Sequence, residues 1–484
     1  MVIAQSLFAG FLLFASFAPI SAWWLAPISL AFLLHLLSDR KIGLRLRTVF
    51  FFGLGFSGPL LSWSNTYVGN LPWLLLVLLE TILLLPIAII PFSRHRPFYY
   101  FIFPSALVAV EGIQSRFPFG GFGWGRVGFS QADAPYVHIL RWGGVPSLTF
   151  TVAFISISIF FATRRNTRYI ILVSLIFIGA TPLFTARTVP FVDSISIVAI
   201  QGGVPVLGLD FNARAREVFN LHVEATQRYL SKVHATPDLV LWPENAADID
   251  PLTDAIINND LRNLANHWKV PIILGAVLNN GRNYSNASIL WAPEKGPVSV
   301  YIKQHLTPFG EYMPWRRVAE VISPHAKRVI DFLPGNSVVI HRVGKAKIAP
   351  IICFELIDDS LGRKMARNSN LLLVQTNSAT FGTSSETDQQ LGITRIRAIE
   401  HGRNVVGIST TGISAIVDSH GRVLMQTKKG KVASVATSVP LIDERTYSDR
   451  NGGVIEVVLC LLGLGFLLIS GIFLRLARRF HLNP

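Results

Sequence analysis

Ile351-Ile352-Cys353-Phe354-Glu355 is the stretch on which the reading of this chain turns. The apolar run Ile348–Cys353 has the length and β-branched content of a buried strand, and it delivers a thiol beside a carboxylate. Cysteine is nucleophilic as the thiolate, and a neighbouring lysine lowers its pKa. A buried, inert cysteine explains the stretch equally well when it is taken alone. Partners elsewhere in the chain decide between the two.

Two upstream stretches have the same form. Leu239-Val240-Leu241-Trp242-Pro243-Glu244-Asn245 places a carboxylate just past an apolar strand, where it is a candidate general base. Alone, Glu244 also reads as a helix N-terminal acid or a surface-loop charge. Tyr301-Ile302-Lys303-Gln304-His305-Leu306, followed by Pro308-Phe309-Gly310-Glu311-Tyr312, ends an alternating strand on Lys303. A fixed ammonium there suits a developing oxyanion, although lysine is ordinarily solvated. His305 reads as structural rather than metal-ligating, because no second histidine stands at ligand spacing. Side chains at strand ends of an α/β domain can converge on one rim, where ligands bind.

Around these stretches, residues 186–453 alternate short β-rich runs with helical patterns. Strands are expected at Ser194–Ile200, Leu239–Trp242, Ile272–Val277, Val298–Ile302, Ile348–Cys353, Leu371–Gln375, Val405–Ser409 and Ala415–Val417, with a helix over Asn212–Val233. This is one α/β domain. The flanks differ in kind. Half of the 484 residues are hydrophobic, and the mean hydropathy is +0.44, which points to a membrane protein. About eight spans of near-bilayer length are expected, over residues 3–19, 21–38, 48–64, 71–92, 99–115, 146–163, 168–185 and 454–474. Residues 1–185 thus form a membrane domain of seven spans, and 454–484 a last span with a basic tail.

The net charge of +15 is concentrated in short loops between apolar runs: Arg40, Lys41, Arg45 and Arg47; Arg94 and Arg96; Arg164, Arg165 and Arg168; Arg475, Arg478 and Arg479. With the N-terminus in the cytoplasm, all four clusters fall on the cytoplasmic side and 186–453 falls outside. No basic helix or aromatic–basic platform suits nucleic acid. The first apolar run lacks the charged n-region of a signal peptide and continues into a second, so a helical hairpin is expected. Of two cysteines, Cys460 lies in the last apolar run, which leaves Cys353 as a free thiol. Two carboxylates fall within spans: Glu111, near a span end, is expected to reach the interface, and Glu80 to line a polar cleft.

The order Glu244…Lys303…Cys353, with the words WPEN, KQHLTPFGEY and ICFE, resembles the nitrilase superfamily over roughly residues 194–440. That resemblance implies an α-β-β-α sandwich in which Glu244 accepts the thiol proton, Lys303 stabilises the tetrahedral intermediate and Cys353 attacks. Glu311 would hold the lysine, and Glu355 matches the carboxylate two residues past the nucleophile. Trp242 and Phe354 are expected to contact substrate; Phe354 stands where the family often has tyrosine. Insertion between a seventh and an eighth span resembles the apolipoprotein N-acyltransferases. So do Ser115–Trp124 (SRFPFGGFGW), Gln201-Gly202-Gly203-Val204-Pro205 and Arg395–Asn404 (RIRAIEHGRN). Asn377–Gly382 (NSATFG) stands where relatives often have N-D-x-W-F-G, and Gly208–Phe211 resembles the actinobacterial branch.

The likeness implies transfer of an acyl chain from a phospholipid, through a Cys353 thioester, to the N-terminal amine of diacylglyceryl-modified lipoproteins. It implies a bacterial plasma-membrane enzyme with an extracytoplasmic catalytic domain, both termini cytoplasmic, and neither metal nor organic cofactor. A membrane-tethered amidase would carry the same three residues, with water resolving the thioester. A non-catalytic lipoprotein-binding protein would have no need of them.

Overall fold

The computed structural model describes residues 1–93, 97–161, 191–204, 216–322, 326–327 and 329–479. The expected span 168–185, the basic residues Arg94, Arg96, Arg164, Arg165 and Arg168, and the Gly208–Phe211 stretch lie outside the described residues. The chain divides into two compact units: Met1–Ser62, Asn70–Arg187 and Asn451–Pro484 form one, and Trp63–Gly69 with Thr188–Arg450 form the other.

The first unit is helical. Among the described residues, Asn70–Ile89 and Val137–Phe161 are long and apolar enough to cross a membrane, and Val2–Ala15 and Leu25–Leu37 are shorter apolar helices. Several of its buried polar groups are paired, as a low-dielectric interior favours. Gln114 Nε2 donates to Glu80 Oε2 at 2.9 Å. Glu111 does not reach an interface. It is 2% exposed, accepts from the Val127 amide and the Thr149 hydroxyl, each at 2.7 Å, and faces Arg126 at 3.7 Å. The reason is local: the Ser115–Trp124 loop folds back so that Arg126 and Val127 meet the helix that carries Glu111.

The second unit is built on two six-stranded sheets, ordered β12-β1-β2-β3-β4-β5 and β11-β10-β9-β8-β7-β6. In the first, β1 (Asp193–Gln201), β2 (Leu239–Leu241) and β3 (Ile272–Asn279) run parallel. β4 (Tyr284–Ala292), β5 (Gly296–Ile302) and β12 (Ala433–Leu441) pair antiparallel. In the second, β7 (Ala346–Ile352), β8 (Leu371–Thr376) and β9 (Val405–Ser409) are parallel. They are flanked by antiparallel β6 (His341–Val343), β10 (Ala415–Val417) and β11 (Val423–Gln426).

Strand periodicity assigns the layers. Ile195, Ile197 and Ala199 of β1, Leu239 and Leu241 of β2 and Ile273 of β3 pack against Ile348, Leu371, Leu373, Val406 and Ile408 of the other sheet. The alternate residues Val198, Ile200, Val240, Ile272 and Leu274 pack against Phe219, Leu230, Ile257, Leu261 and Leu264 on the helices Glu217–Leu230 and Ala255–Trp268. The helices Asp359–Arg367 and Glu386–His401 pack on the outer side of the second sheet. The result is the expected α-β-β-α sandwich. Burial on both faces explains why the parallel strands read as continuous apolar runs rather than alternating ones.

The expected strands are all present, with ends within about two residues of those expected. Four strands were not expected. β4 carries Asn286, Ser285 and Ser288 among its apolar residues, and β6 has only three residues. β11 and β12 are half-exposed and mixed in composition. The helix Ala255–Trp268 is fixed by Asp254, whose side chain accepts from the Ile256 and Ile257 amides. Leu373 is fully buried between the sheets. Leu373→Ala is expected to cost about 2–5 kcal/mol, measured as a lowered denaturation midpoint of the full-length chain in detergent.

Candidate active site

Three strand ends bring the site together. Glu244 follows β2, Lys303 follows β5 and Cys353 follows β7. Close backbone contacts hold the first two. A side chain at Gly275 would place its Cβ 2.4 Å from the Pro243 carbonyl and 2.5 Å from the Glu244 Cα, so β3 approaches the base-bearing turn more closely than any other residue allows. Gly335 lies equally close to the Ile302 carbonyl, and its amide donates to the Lys303 carbonyl at 2.8 Å.

Lys303 is 1% exposed. Its Nζ lies 2.7 Å from Glu311 Oε2 and 3.7 Å from Glu244 Oε1. Asn286 Nδ2 bridges the two carboxylates, donating to Glu244 Oε1 at 2.7 Å and Glu311 Oε1 at 2.8 Å. The Thr307 amide donates to Glu311 Oε2 at 2.7 Å. This unequal sharing separates the two acids. Burial pushes both up, but in Glu311 the adjacent Lys303 ammonium reverses the effect and holds it below the usual carboxylate range. In Glu244 burial prevails over the more distant lysine, and its pKa is raised. Burial alone would lower Lys303, yet Glu311 and Glu244 together hold it above its ordinary value. The site therefore holds a permanent cation, a permanent anion and one carboxylate placed to exchange a proton.

Cys353 has a left-handed backbone, φ +49°. This is uncommon for a residue with a side chain and marks a held turn. Burial, then the carboxylate of Glu244, push its thiol well up, and Lys303 opposes them. The resting sulfur is a thiol and needs a base to take its proton. Gln390 Nε2 lies 3.7 Å from Sγ. Glu355 holds the turn: Oε2 accepts from the Ile352 amide at 2.8 Å, and Oε1 accepts from Tyr301 Oη and the Gln304 amide, each at 2.7 Å. It ties the strand end that carries Cys353 to the one that carries Lys303. Arg397 holds the turn from behind, with Nε donating to the Leu356 carbonyl at 2.8 Å and Nη2 lying 2.8 Å from Asp359 Oδ1.

Of the two aromatic residues expected at the substrate, Trp242 is placed otherwise. Trp242 is fully buried on the helix side of its sheet, edge-on to Phe219, and its Nε1 donates to Thr226 at 2.9 Å. It props the strand that ends near Glu244 and belongs to the core, because alternation turns it away from the inter-sheet side. Phe354 is 3% exposed, with its ring edge-on to His305 at 5.2 Å. His305 Nδ1 faces Asp358 at 3.2 Å. The Gln201 side chain accepts from Ser414 and Thr427 at 2.6 and 2.8 Å, which gives that motif a scaffolding role. Sequence reading missed Asn286, Gln390 and Glu386. It also missed Trp63, whose Nε1 donates to Gln389 at 3.1 Å and whose ring stands edge-on to Phe381.

Comparison with known proteins agrees with this architecture. Residues 9–158 match the family described as the apolipoprotein N-acyltransferase N-terminal domain, and residues 198–447 match carbon-nitrogen hydrolase. An apolipoprotein N-acyltransferase of Mycolicibacterium smegmatis is 33% identical over 95% of this chain and 84% of its own length. The chain belongs to the apolipoprotein N-acyltransferase family. Relatives of that name in Geobacter metallireducens and Photobacterium profundum are 28% and 26% identical over 93% and 89% of this chain, covering 91% and 87% of theirs. Among solved structures, an amidase from Nesterenkonia covers 54% of this chain and 98% of its own, with 17% identity and a TM-score of 0.41.

Asn286 lowers the pKa of both carboxylates it bridges. Asn286→Ala is therefore expected to raise the Glu244 pKa. The acidic limb of Cys353 alkylation, followed with iodoacetamide across pH, should move to higher pH.

Proposed function

We propose that the chain acylates lipoproteins at their N-terminus through a thioester on Cys353, with Glu244 as base and Lys303 as the oxyanion partner. Membership of the family gives the reaction class: an acyltransferase of the nitrilase superfamily acting in lipoprotein N-acylation. The observation that carries the residue roles is the unequal sharing of the Lys303 ammonium, 2.7 Å from Glu311 and 3.7 Å from Glu244. It leaves Glu311 as the lysine's fixed counter-ion and Glu244 free to take a proton.

In the first half-reaction the Cys353 thiol gives its proton to Glu244 as sulfur attacks a phospholipid acyl ester. The tetrahedral oxyanion forms beside the Lys303 ammonium, whose charge needs no reorganisation at that moment. Collapse breaks the C–O bond, and Glu244 returns the proton to the departing lysophospholipid oxygen. In the second half the α-amine of a diacylglyceryl-cysteine attacks the thioester carbon, and Cys353 leaves with a proton. Glu311 and Glu355 position the lysine and the nucleophile turn.

The arrangement in the cell follows the same reading. About eight spans, with the basic loop clusters inside, hold residues 186–453 on the extracytoplasmic face and leave both termini in the cytoplasm. Membrane domain 1–185 and the last span 454–484 flank the catalytic domain. Both substrates are lipid-anchored, and tethering the site to the bilayer raises their effective concentration.

Incubation of the purified full-length protein with a phospholipid labelled on its acyl chain is expected to give a hydroxylamine-sensitive label on wild type and none on Cys353→Ala. Chase with a diacylglyceryl peptide should move the label to the peptide amine. Release as free fatty acid instead would identify a hydrolase, and no label from any phospholipid would overturn the donor assignment. Lys303→Met is expected to slow labelling by about 10²–10³-fold. Labelling should also fail on the acidic side at a pH above the ordinary glutamate value of about 4.3, because the base must be ionised and burial raises Glu244.

A further inference from the structure

Glu386 opens the helix Glu386–His401 and is 1% exposed. Gln390 lies one turn further along, so the two share a helix face. The 3.7 Å approach of Gln390 Nε2 to Cys353 Sγ fixes that face as the one turned to the nucleophile. The Glu386 carboxylate acts on the thiol, raising its pKa, and Glu244 acts on Glu386 in the same sense. The Ser378 side chain bonds to Glu386; its Oγ accepts from Ser409 Oγ at 3.1 Å, which accepts the Gly412 amide at 3.0 Å. Glu386 Oε2 is buried and has no hydrogen-bond partner among the described residues. Lys429, the cation that acts on Glu386, is ion-paired to Asp388. A buried carboxylate oxygen without a donor is costly, and a ligand that brings its own donors relieves that cost.

The chemistry of the second half-reaction supplies such a ligand. This argument rests on the acyl-transfer reading above. Acylation is balanced by one acid–base group, because the thiol proton passes through Glu244 to the leaving alkoxide. Aminolysis is not. The acceptor arrives as an ammonium, and ammonium plus thioester gives amide, thiol and one proton. Two N–H bonds break. One proton reaches sulfur through Glu244. The other has no destination among Lys303, which is already protonated, and Glu311, which is ion-paired to it.

We infer that Glu386 Oε2 binds the acceptor's α-ammonium beside the thioester and takes the proton that nitrogen must lose before it attacks. The N–H bond breaks as an O–H bond forms on Glu386. The freed lone pair bonds to the thioester carbon, the C–S bond breaks, and Glu386 later releases its proton to solvent. Burial carries Glu386 up to about 8, opposed first by the Ser378 hydrogen bond and then by Lys429, with Glu244 and Asp388 reinforcing. The incoming ammonium beside it favours the ionised carboxylate, which then takes the proton.

The test separates the half-reactions. Wild type and Glu386→Gln are acylated with labelled phospholipid, then chased either with a diacylglyceryl-cysteine peptide or with hydroxylamine, which is uncharged at neutral pH and brings no ammonium to be bound. The ratio of peptide to hydroxylamine cleavage rates is expected to fall about 10²-fold in Glu386→Gln, with a raised KM for the peptide and partial rescue by Glu386→Asp. A ratio within about twofold of wild type, equal slowing of both chases, or failure of Glu386→Gln to acylate each overturns the assignment. Failure of wild type itself to form the thioester overturns the acyl-transfer reading and this inference with it, and is distinguished by the wild-type lane alone.

Discussion

A lysine ammonium buried to 1% exposure governs this site. An uncompensated charge there would cost several kcal/mol, so Lys303 is tolerable only with carboxylates around it. Glu311 and Glu244 provide them at 2.7 and 3.7 Å. The two are not interchangeable. Glu311 also receives the Thr307 amide and becomes the settled partner, which leaves Glu244 with a raised pKa and an available proton site. One unequal ion-pair geometry thus shifts the two carboxylates in opposite directions around one cation.

The Cys353 turn depends on the same constraint through a different strut. Cys353 sits in a left-handed turn that its own strand does not stabilise. Glu355 bonds the amide of Ile352 on one side and Tyr301 and Gln304 on the other, so the turn holds its shape because it is fastened to the sheet that carries Lys303. Arg397 fastens it from the helix behind. Within the RIRAIEHGRN stretch, Arg397 is a clamp that keeps the strained turn in place. The Gly275 contact plays the matching part for Glu244.

Much of the fold was legible because a strand buried on both faces leaves a continuous apolar run. β1, β2, β7, β8, β9 and β10 are such runs, and two of the three candidate residues, Glu244 and Cys353, follow β2 and β7. β4 was illegible because Asn286 and its serines break the apolar run, and they do so because they face the site and the opposite sheet, bonding Glu244, Glu311 and His341. Polar residues that the site needs blur the signal of the strand that carries them. Trp242 was misplaced for a related reason: its position beside Glu244 in sequence says nothing of which face of the strand it occupies. Glu111 was misplaced because the loop that buries it returns from sixteen residues away.

Local order by itself determined which residues carry reactive groups: strand periodicity, backbone length and the words around Glu244, Lys303, Cys353, Glu311 and Glu355 are properties of short stretches. Only the tertiary structure decided what each of those groups does. The bonds that set proton affinity span 42 residues from Asn286 to Glu244 and 54 from Tyr301 to Glu355, and burial, which pushes each of these carboxyls up, exists only once the sheets have closed on one another. A difference of about one ångström in two lysine contacts separates a carboxyl whose pKa is raised from one whose pKa is lowered, and no pattern of residue types encodes a distance of that size.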